Sequence, residues 1–506
     1  MSNVGHITLG NQLFDTEYLP IKKSTPIFMS EDRFLCTYFK FHKIKIAFFL
    51  SSMRQYADHL QKNGFDISYV KLGTSSISQK SESSKSDFIL NLKSWIVEKN
   101  ITSVTMFEVE DLFFKNILCN ELSAVGIEVI FLKSPMFLTT HSEFSDYLGT
   151  TKRPFMKTFY EKQRIKYKIL TEKDSTPVGG KWSFDEDNRK KLPTDLNPAP
   201  IQSFKQGTIT KEIFKLVEDH FADHPGSLES FWLPTNHRDA KSLLDDFISS
   251  RFQLFGPYED ALTERSDFVY HSGISALLNI GLLTPTQVID TAIKYFANSN
   301  NKISLASCEG FIRQVIGWRE FVRGIYHRFE ERLSQGNFWS HQGKLNQNWY
   351  TGTTGIKPLD HAISKSWRLA YCHHIERLMI LGNFMLLSRI HPMEVYRWFM
   401  EMFVDSSDWV MLPNVCGMSQ FSDGGIFATK PYICGSNYIL KMSHYEKEPW
   451  TSVADALYWA FIIDNENTFQ KNPRSSMMAV QVRKMTPEKK KQYQKTAYDF
   501  IAQNSI

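Results

Sequence analysis

The chain has 506 residues, a formal net charge of +5, 42% hydrophobic and 14% aromatic residues, with 39 phenylalanines. That length exceeds one compact core and implies two or three domains. The small positive charge permits nucleic-acid binding without requiring it; six cysteines with no C-x-x-C pair argue against a zinc ribbon or a disulfide scaffold and for free thiols in a reducing cytosol.

The start, M-S-N-V-G-H-I, lacks the basic-then-apolar layout of a secretion signal. No apolar run has bilayer length, so a cytoplasmic protein, monomeric and away from membranes, is expected. Residues 5–10 (G-H-I-T-L-G) and 26–30 (P-I-F-M-S) read as short buried strands. Residues 44–60 place Ile46, Leu50, Met53, Ala57 and Leu60 at helical spacing, with Gly64 as a stop signal. Strands follow at 66–72, 104–109 and 127–132, with a helix at 88–99 and a serine-rich loop at 73–87. Strands alternating with helices predict an α/β unit, a doubly wound parallel sheet, over residues 1–135. No G-x-G-x-x-G follows the first strand, which argues against a dinucleotide site of that kind.

Residues 136–207 read as a connection. A basic, aromatic-containing helix at 153–168 precedes a Pro-, Gly- and charge-rich linker at 172–206, laid over the surface. Beyond residue 208 the strand signals nearly vanish. Helices are expected at 211–220, 240–252, 272–283, 286–297, 308–332, 359–388, 395–402 and 453–464, an all-α domain over 208–506. The tail K-K-K-Q-Y-Q-K reads as a solvated, frayed basic end.

Three clusters carry chemistry. F-G-P-Y-E-D-A-L precedes Y-H-S-G-I-S-A-L-L, where Ser272 is positioned to cap a helix. A helix N-terminus with free amides and a hydroxyl suits a pyrophosphate, although a capping serine can simply cap. E-G-F-I-R-Q-V-I-G-W-R-E-F-V-R-G-I-Y sets Arg313, Arg319 and Arg323 along an apolar helix with Trp318 between them. Arginine holds phosphate and tryptophan stacks on bases, yet an amphipathic helix with a solvated basic edge reads the same way. Between residues 366 and 425, His373 and His374 sit side by side among apolar neighbours, followed by Arg377, Trp398, Asp405, Asp408 and Asn414. Such polar groups need a partner, either a large polar cofactor or a core hydrogen-bond network. A histidine beside a reacting centre can act as general acid, since its pKa lies near neutrality. On a helix, two adjacent ones point about 100° apart, so at most one faces a given cavity.

Together H-S-G-I-S, F-I-R-Q-V-I-G-W-R-E-F-V-R-G, Y-C-H-H-I-E-R-L-M-I-L-G-N-F, P-N-V-C-G-M-S-Q-F-S-D-G-G, T-K-P-Y-I-C-G-S-N-Y and A-L-Y-W-A-F resemble the photolyase/cryptochrome family, more closely its bacterial (6-4) photolyase branch. L-G-N-Q-L, K-I-A-F-F-L-S-S-M-R-Q-Y-A and P-V-G-G-K-W-S-F-D fit as well, so the likeness spans nearly the whole chain. It implies an N-terminal α/β antenna domain and a C-terminal helical domain holding FAD. It also implies light-driven electron transfer to a pyrimidine dimer flipped out of UV-damaged double-stranded DNA. By matching motifs, His374 takes the place of the proton donor in (6-4) repair, His373 supports it, and Tyr432 and Tyr438 lie on the lesion side. Arg319, Arg377, Asp405, Asp408 and Asn414 match polar contacts to the flavin, the last near its N5. Ser272 and Ser275 match phosphate contacts, and Tyr258, His271 and Gln314 complete the expected FAD set. Trp398 matches the inner member of an electron-transfer chain, and Tyr350 stands where the branch has an outer Trp. Glu31 and Tyr38 suit an antenna pocket for 6,7-dimethyl-8-ribityllumazine, with Leu35 in place of an acidic contact. Arg313, Trp318, Arg323 and Lys430 are expected at the DNA surface.

The branch typically ligates an iron–sulfur cluster with four cysteines. Here Pro358, Glu446 and Pro449 stand at matching places, and the segment of the fourth is shortened before Ala456. Without thiolates, no cluster and no other metal site are expected. Two other readings compete: a photosensory cryptochrome signalling to a protein partner, and a cyclobutane-dimer photolyase. Neither needs an acid at the lesion, and a sensor often carries a long C-terminal extension, whereas only a short tail follows Lys484.

Overall fold

A computed structural model describes residues 3–73, 86–149, 153–300 and 302–506. Residues 74–85 of the predicted serine-rich loop lie outside them. Five parallel strands, β1 (Val4–Ile7), β2 (Ile27–Ser30), β3 (Ile67–Val70), β4 (Ser103–Phe107) and β5 (Glu128–Leu132), form one sheet in the order β3-β2-β1-β4-β5. Each coincides with a predicted strand. The order turns outward in both directions from β1, so the connecting helices cover both faces. Ile7, Phe28, Val104 and Met106 face helices Asp87–Glu98 and Leu112–Ser123, through Phe88, Leu92, Trp95, Leu118 and Leu122. The opposite side chains, Ile27, Met29 and Phe107, join Ile44, Phe48 and Met53 of helix Lys43–Lys62. That second core runs on without a break into the C-terminal helices, to Phe461 and Phe500. Among the described residues no helix is long and apolar enough to cross a membrane.

Several expectations change. The helix expected at 272–283 spans only Ser275–Ile280, because Gly273 takes a positive φ of 70° that a helix cannot continue through. Ser272 therefore does not cap it; Ile274 occupies that position. The helix expected to run through 359–388 breaks at Ala370, where φ is 50°. Trp232 Nε1 donates to the Leu369 carbonyl at 3.0 Å, and Val404 N to the Ala370 carbonyl at 3.0 Å. These tertiary donors replace the intrahelical ones and release the chain before the two histidines. The tail is an 18-residue helix, Pro487–Asn504, capped by Thr486 and burying Ala497 and Phe500. The helix Leu112–Ser123 was not anticipated; Phe114, Leu118 and Leu122 are its buried stripe. The linker at 172–206 contains only short 3₁₀ turns, yet it does more than cover the surface, since Asn188 is fully buried and Trp182 and Asp185 reach the site described next.

Candidate functional site

The helical half encloses a cavity of about 1270 Å³. This exceeds the roughly 300–1,000 Å³ of most small-molecule pockets. Three seven-residue π-helical stretches border it: Arg313–Arg319, Glu376–Gly382 and Pro413–Ser419. An i→i+5 winding shifts side chains off the usual helical rows, a feature that recurs at functional sites. Here it presents Arg313, Gln314, Trp318 and Arg319 from the first stretch, Arg377 from the second and Asn414 from the third.

An ion pair anchors one wall. Arg377 donates to both oxygens of Asp405, at 2.9 and 3.2 Å, and lies 4.0 Å from the Phe403 ring centre. Ser275 Oγ donates to the same carboxylate at 2.7 Å, and Asn279 Nδ2 to the Asp405 carbonyl at 2.9 Å. Arg319 bonds the carbonyls of Met136 and Leu278, but its buried Nε has no protein partner. Burial lowers its pKa to about 10.

The two histidines are not stacked turns of one helix. His373 lies in the non-helical break and its backbone N–H donates to Glu376 Oε2 at 3.0 Å. Its ring is buried, parallel to His271 at 4.8 Å, and neither ring nitrogen makes a hydrogen bond. Burial pushes both imidazoles well below their ordinary pKa, and the neighbouring histidines and Lys365 push the same way. His374 opens the following turn with its side chain 50% exposed, and its Nε2 lies 3.2 Å from Asp260 Oδ1. Burial opposes its charge, but the Asp260 hydrogen bond and carboxylate outweigh that and raise its pKa above the usual value. The break at Ala370 thus lets both rings face one cavity, which a continuous helix would have forbidden.

Of the expected residues, His271, Ser272, Ser275, Arg313, Gln314, Trp318, Arg319, His373, His374, Arg377, Asp405, Asn414, Lys430, Tyr432 and Tyr438 all line this cavity. Others do not. Tyr258 packs on Tyr270 in a small separate cluster. Asp408 turns away and accepts from Tyr396 OH. Trp398 is buried against Phe399, which does line the cavity; the Trp398 Nε1 donates to the Trp349 carbonyl at 3.0 Å. Tyr350 OH donates to Glu401 Oε2 at 2.9 Å. Arg323 is no surface cation: it is 3% exposed and bound to Glu110 at 2.6 and 2.7 Å, across the junction of the sheet with the helices. Arg313 is buried too, among Glu309, Asp185 and Glu259. Sequence reasoning quoted F-G-P-Y-E-D-A-L without singling out Glu259 or Asp260. It also passed over Lys157 and Arg189, exposed cations on the cavity wall.

A second cavity of about 220 Å³ lies between the sheet and the helices. Tyr38 and Leu35 line it, as do Lys45, Asp111 and Asp408. Burial and its neighbour Asp408 raise the Asp111 carboxyl, while burial lowers the Lys45 amine to about 7. Glu31 is absent from this lining; Arg54, Tyr69 and the Leu72 N–H occupy its carboxylate at 2.7–3.0 Å.

The profile of a family described as deoxyribodipyrimidine photo-lyase-related protein matches residues 6–233. A protein of Agrobacterium fabrum named (6-4) photolyase is 34% identical over 463 residues, covering 90% of this chain and 89% of its own. The crystal structure of a bacterial class III photolyase from Agrobacterium tumefaciens superposes with a TM-score of 0.56 at 16% identity, covering 100% of this chain and 98% of its own. A cryptochrome of Synechocystis sp. PCC6803 follows at 0.50 and 14%, covering 97% and 94%. At those identities the two structures speak to the fold alone.

Proposed function

The chain belongs to the photolyase/cryptochrome family, and from that premise we propose that it repairs (6-4) pyrimidine–pyrimidone photoproducts in DNA with light and reduced FAD, His374 acting as proton donor. The observation that carries this reading is His374 itself. Its half-exposed imidazole stands on the cavity wall, where Asp260 favours the charged form that a general acid needs.

The residues present fit an FAD. The cavity is large, and three buried nitrogens on its wall, both of His373 and Arg319 Nε, make no hydrogen bond, although His373 Nε2 stands 3.5 Å from Glu376 Oε2. Buried polar atoms of that kind call for a polar ligand. Ser272, Ser275, Arg319, Arg377, Asp405 and Asn414 would hold it. When bound, FAD supplies photochemical electron transfer. The protein's own residues position the lesion and manage the proton. His374 gives a proton to the hydroxyl or amino group that must leave as it returns to its original base. Tyr432 and Tyr438, partly buried on the same wall, flank the flipped base. Asp405 keeps Arg377 in place, and Arg377 keeps a positive charge beside the cavity.

The residues do not fit an iron–sulfur cluster. Where the branch has thiolates, this chain ties the same segments by polar contacts: Lys357 to Glu448 at 3.0 Å and His361 to Tyr445 OH at 2.7 Å. The smaller cavity would serve an antenna, for which ribityl-lumazine remains the reading, with Tyr38 and Leu35 at its lip.

The test is direct. Reduced protein is illuminated with DNA carrying each lesion separately. Light-dependent loss of the (6-4) product is expected. Its persistence, with or without loss of cyclobutane dimers, sinks the proposal.

A further inference from the structure

One aromatic side chain of the linker stands on the large cavity and has no part in the repair chemistry above. Trp182 lies half-buried on the cavity wall. Lys157, Ser183 and Arg189 line the same cavity and are exposed. Residues that line a cavity and still meet solvent mark its mouth, so Trp182 belongs to the entrance.

The backbone on both sides of this indole is pinned. Arg164 is 0% exposed and gives its guanidinium to backbone carbonyls: Nε donates to Ile169 at 3.1 Å, Nη1 to Trp182 at 2.9 Å, and Nη2 to Leu170. The same guanidinium lies 5.1 Å from the Trp182 ring centre. Two residues on, the Phe184 N–H donates to Glu309 Oε2 at 3.0 Å. That buried carboxylate also accepts from Tyr160 OH at 2.8 Å and from Arg313 Nε at 3.2 Å. Ahead of Trp182, Gly179 takes a φ of 75°, and a Cβ there would come within 2.5 Å of Leu305 Cδ2 on helix Leu305–Ile312. Only glycine lets the loop close that far. A side chain ordered in advance loses little freedom when a partner stacks on it.

We propose that Trp182 helps this chain tell damaged from intact DNA: its indole stacks on a nucleobase left unpaired at the lesion, beside the cations Lys157 and Arg189. This rests on the reading that DNA brings a flipped lesion to the cavity. An aromatic face next to cations is the usual construction of a single-strand site, and it tolerates any base because every base has a π-face. In an intact duplex the neighbouring bases already cover both faces. Flipping a lesion out removes that cover and the pairing around the gap. The cations attract phosphate in either DNA, whereas the indole gains a partner only where a base is free.

Dark binding of the FAD-loaded chain tests this, on duplexes that are intact, carry a (6-4) product or carry a cyclobutane dimer. Trp182→Ala should weaken binding to the lesion-bearing duplex preferred by the unaltered chain by roughly tenfold. Affinity for the intact duplex should not change, and Trp182→Phe should keep most of the preference. The salt slope should also stay the same, because no phosphate contact is removed. Equal weakening on intact DNA, or a flattened slope, would mean that the indole only supports Lys157 and Arg189, and would overturn the proposal. Unchanged affinity for the lesion duplex overturns it too, as does a folded Trp182→Ala without flavin absorbance, which would assign the ring to the cofactor. If Trp182→Ala does not fold, the unaltered chain is irradiated with a lesion duplex carrying 5-iodouracil next to and opposite the lesion. Cross-linking to Trp182 is expected, and cross-links only at other residues overturn the proposal. Binding in the dark needs no turnover, so a failure of (6-4) repair would leave these results standing.

Discussion

Arg377 holds Asp405 through both terminal nitrogens, on a wall where Ser275 Oγ donates to the same carboxylate. The pair is only 16% and 10% exposed at its side chains. Removing one partner of such a pair leaves the other charge stranded, at a cost of about 3–5 kcal/mol when burial is complete. Arg377→Ala should therefore lower the unfolding free energy by roughly 3 kcal/mol. It should also empty the flavin site, giving a protein without the visible flavin band. A variant that keeps full flavin absorbance would show that the pair does not support the cofactor.

His374→Asn should abolish repair of the (6-4) product and leave FAD absorbance unchanged. The pH dependence follows from Asp260. The pKa of His374 is raised in the folded protein, so the imidazolium persists above the usual histidine range and is lost as pH rises through that raised value. Repair should fall along the same alkaline limb. Asp260→Asn removes the negative charge and leaves only a neutral amide oxygen to accept, so the limb should move to lower pH. A pH–rate profile of the two proteins side by side measures this.

Much of this was legible beforehand. The short apolar runs of β1 to β5 and the stripe in helix Lys43–Lys62 are local patterns, and they gave the parallel sheet, though neither its strand order nor helix Leu112–Ser123. The break at Ala370 was not legible, because its cause is tertiary: the donors come from Trp232 and Val404. The same limit misplaced Arg323. On its helix it reads as a basic edge, and only a carboxylate 213 residues away, Glu110, draws it inside. Asp408 was misassigned for a related reason. It is three residues from Asp405, but the turn between them sends the two side chains into different cavities. The π-helical winding has no periodic signature that a sequence of this length exposes, so Asn414 and Arg319 were placed by motif and their orientation was not.

The Glu110–Arg323 pair makes its own prediction. Burial alone would raise the Glu110 carboxyl, but Arg323 and His327 lower it to about 2. A depressed carboxylate stabilises the fold above its unfolded pKa and loses that contribution as pH falls through the folded value. Glu110→Gln should thus unfold more readily at neutral pH, and the difference from the unaltered protein should shrink steadily between about pH 4.5 and 2. Denaturant melts across that range check it. Arg323→Ala should destabilise in the same way without changing how the protein responds to salt when it binds DNA.

Trp398 and Tyr350 belong to adjoining layers: Trp398 bonds the carbonyl of Trp349, the residue before Tyr350. Phe399, packed edge-on against Trp398, lines the cavity, and Trp398 does not. Trp398→Phe should slow light-driven reduction of oxidised flavin by an external donor, seen as slower bleaching of the flavin band. Tyr350→Trp should speed it, since Tyr350 OH is committed to Glu401 and burial pushes its pKa up. Equal bleaching in all three proteins would place the route elsewhere, with Trp409 and Trp318, both on the cavity wall, the next to test.

With Arg313 and Arg323 engaged inside, the phosphate contacts fall to other cations. Lys157 and Arg189 are exposed on the cavity wall, and Lys430 is half-buried there. Each phosphate that a cation neutralises releases a counterion, so the logarithm of affinity falls with the logarithm of salt by about 0.9 per contact. Lys157→Ala, Arg189→Ala and Lys430→Ala should each weaken binding to lesion-containing duplex and flatten the salt slope by about one such step. Arg189 also pairs with Asp185, so its loss should be the smallest in affinity and the most dependent on that neighbour. A slope unchanged in all three would mean that the duplex approaches by another face. The His374 side chain would then lie too far from the lesion to act on it.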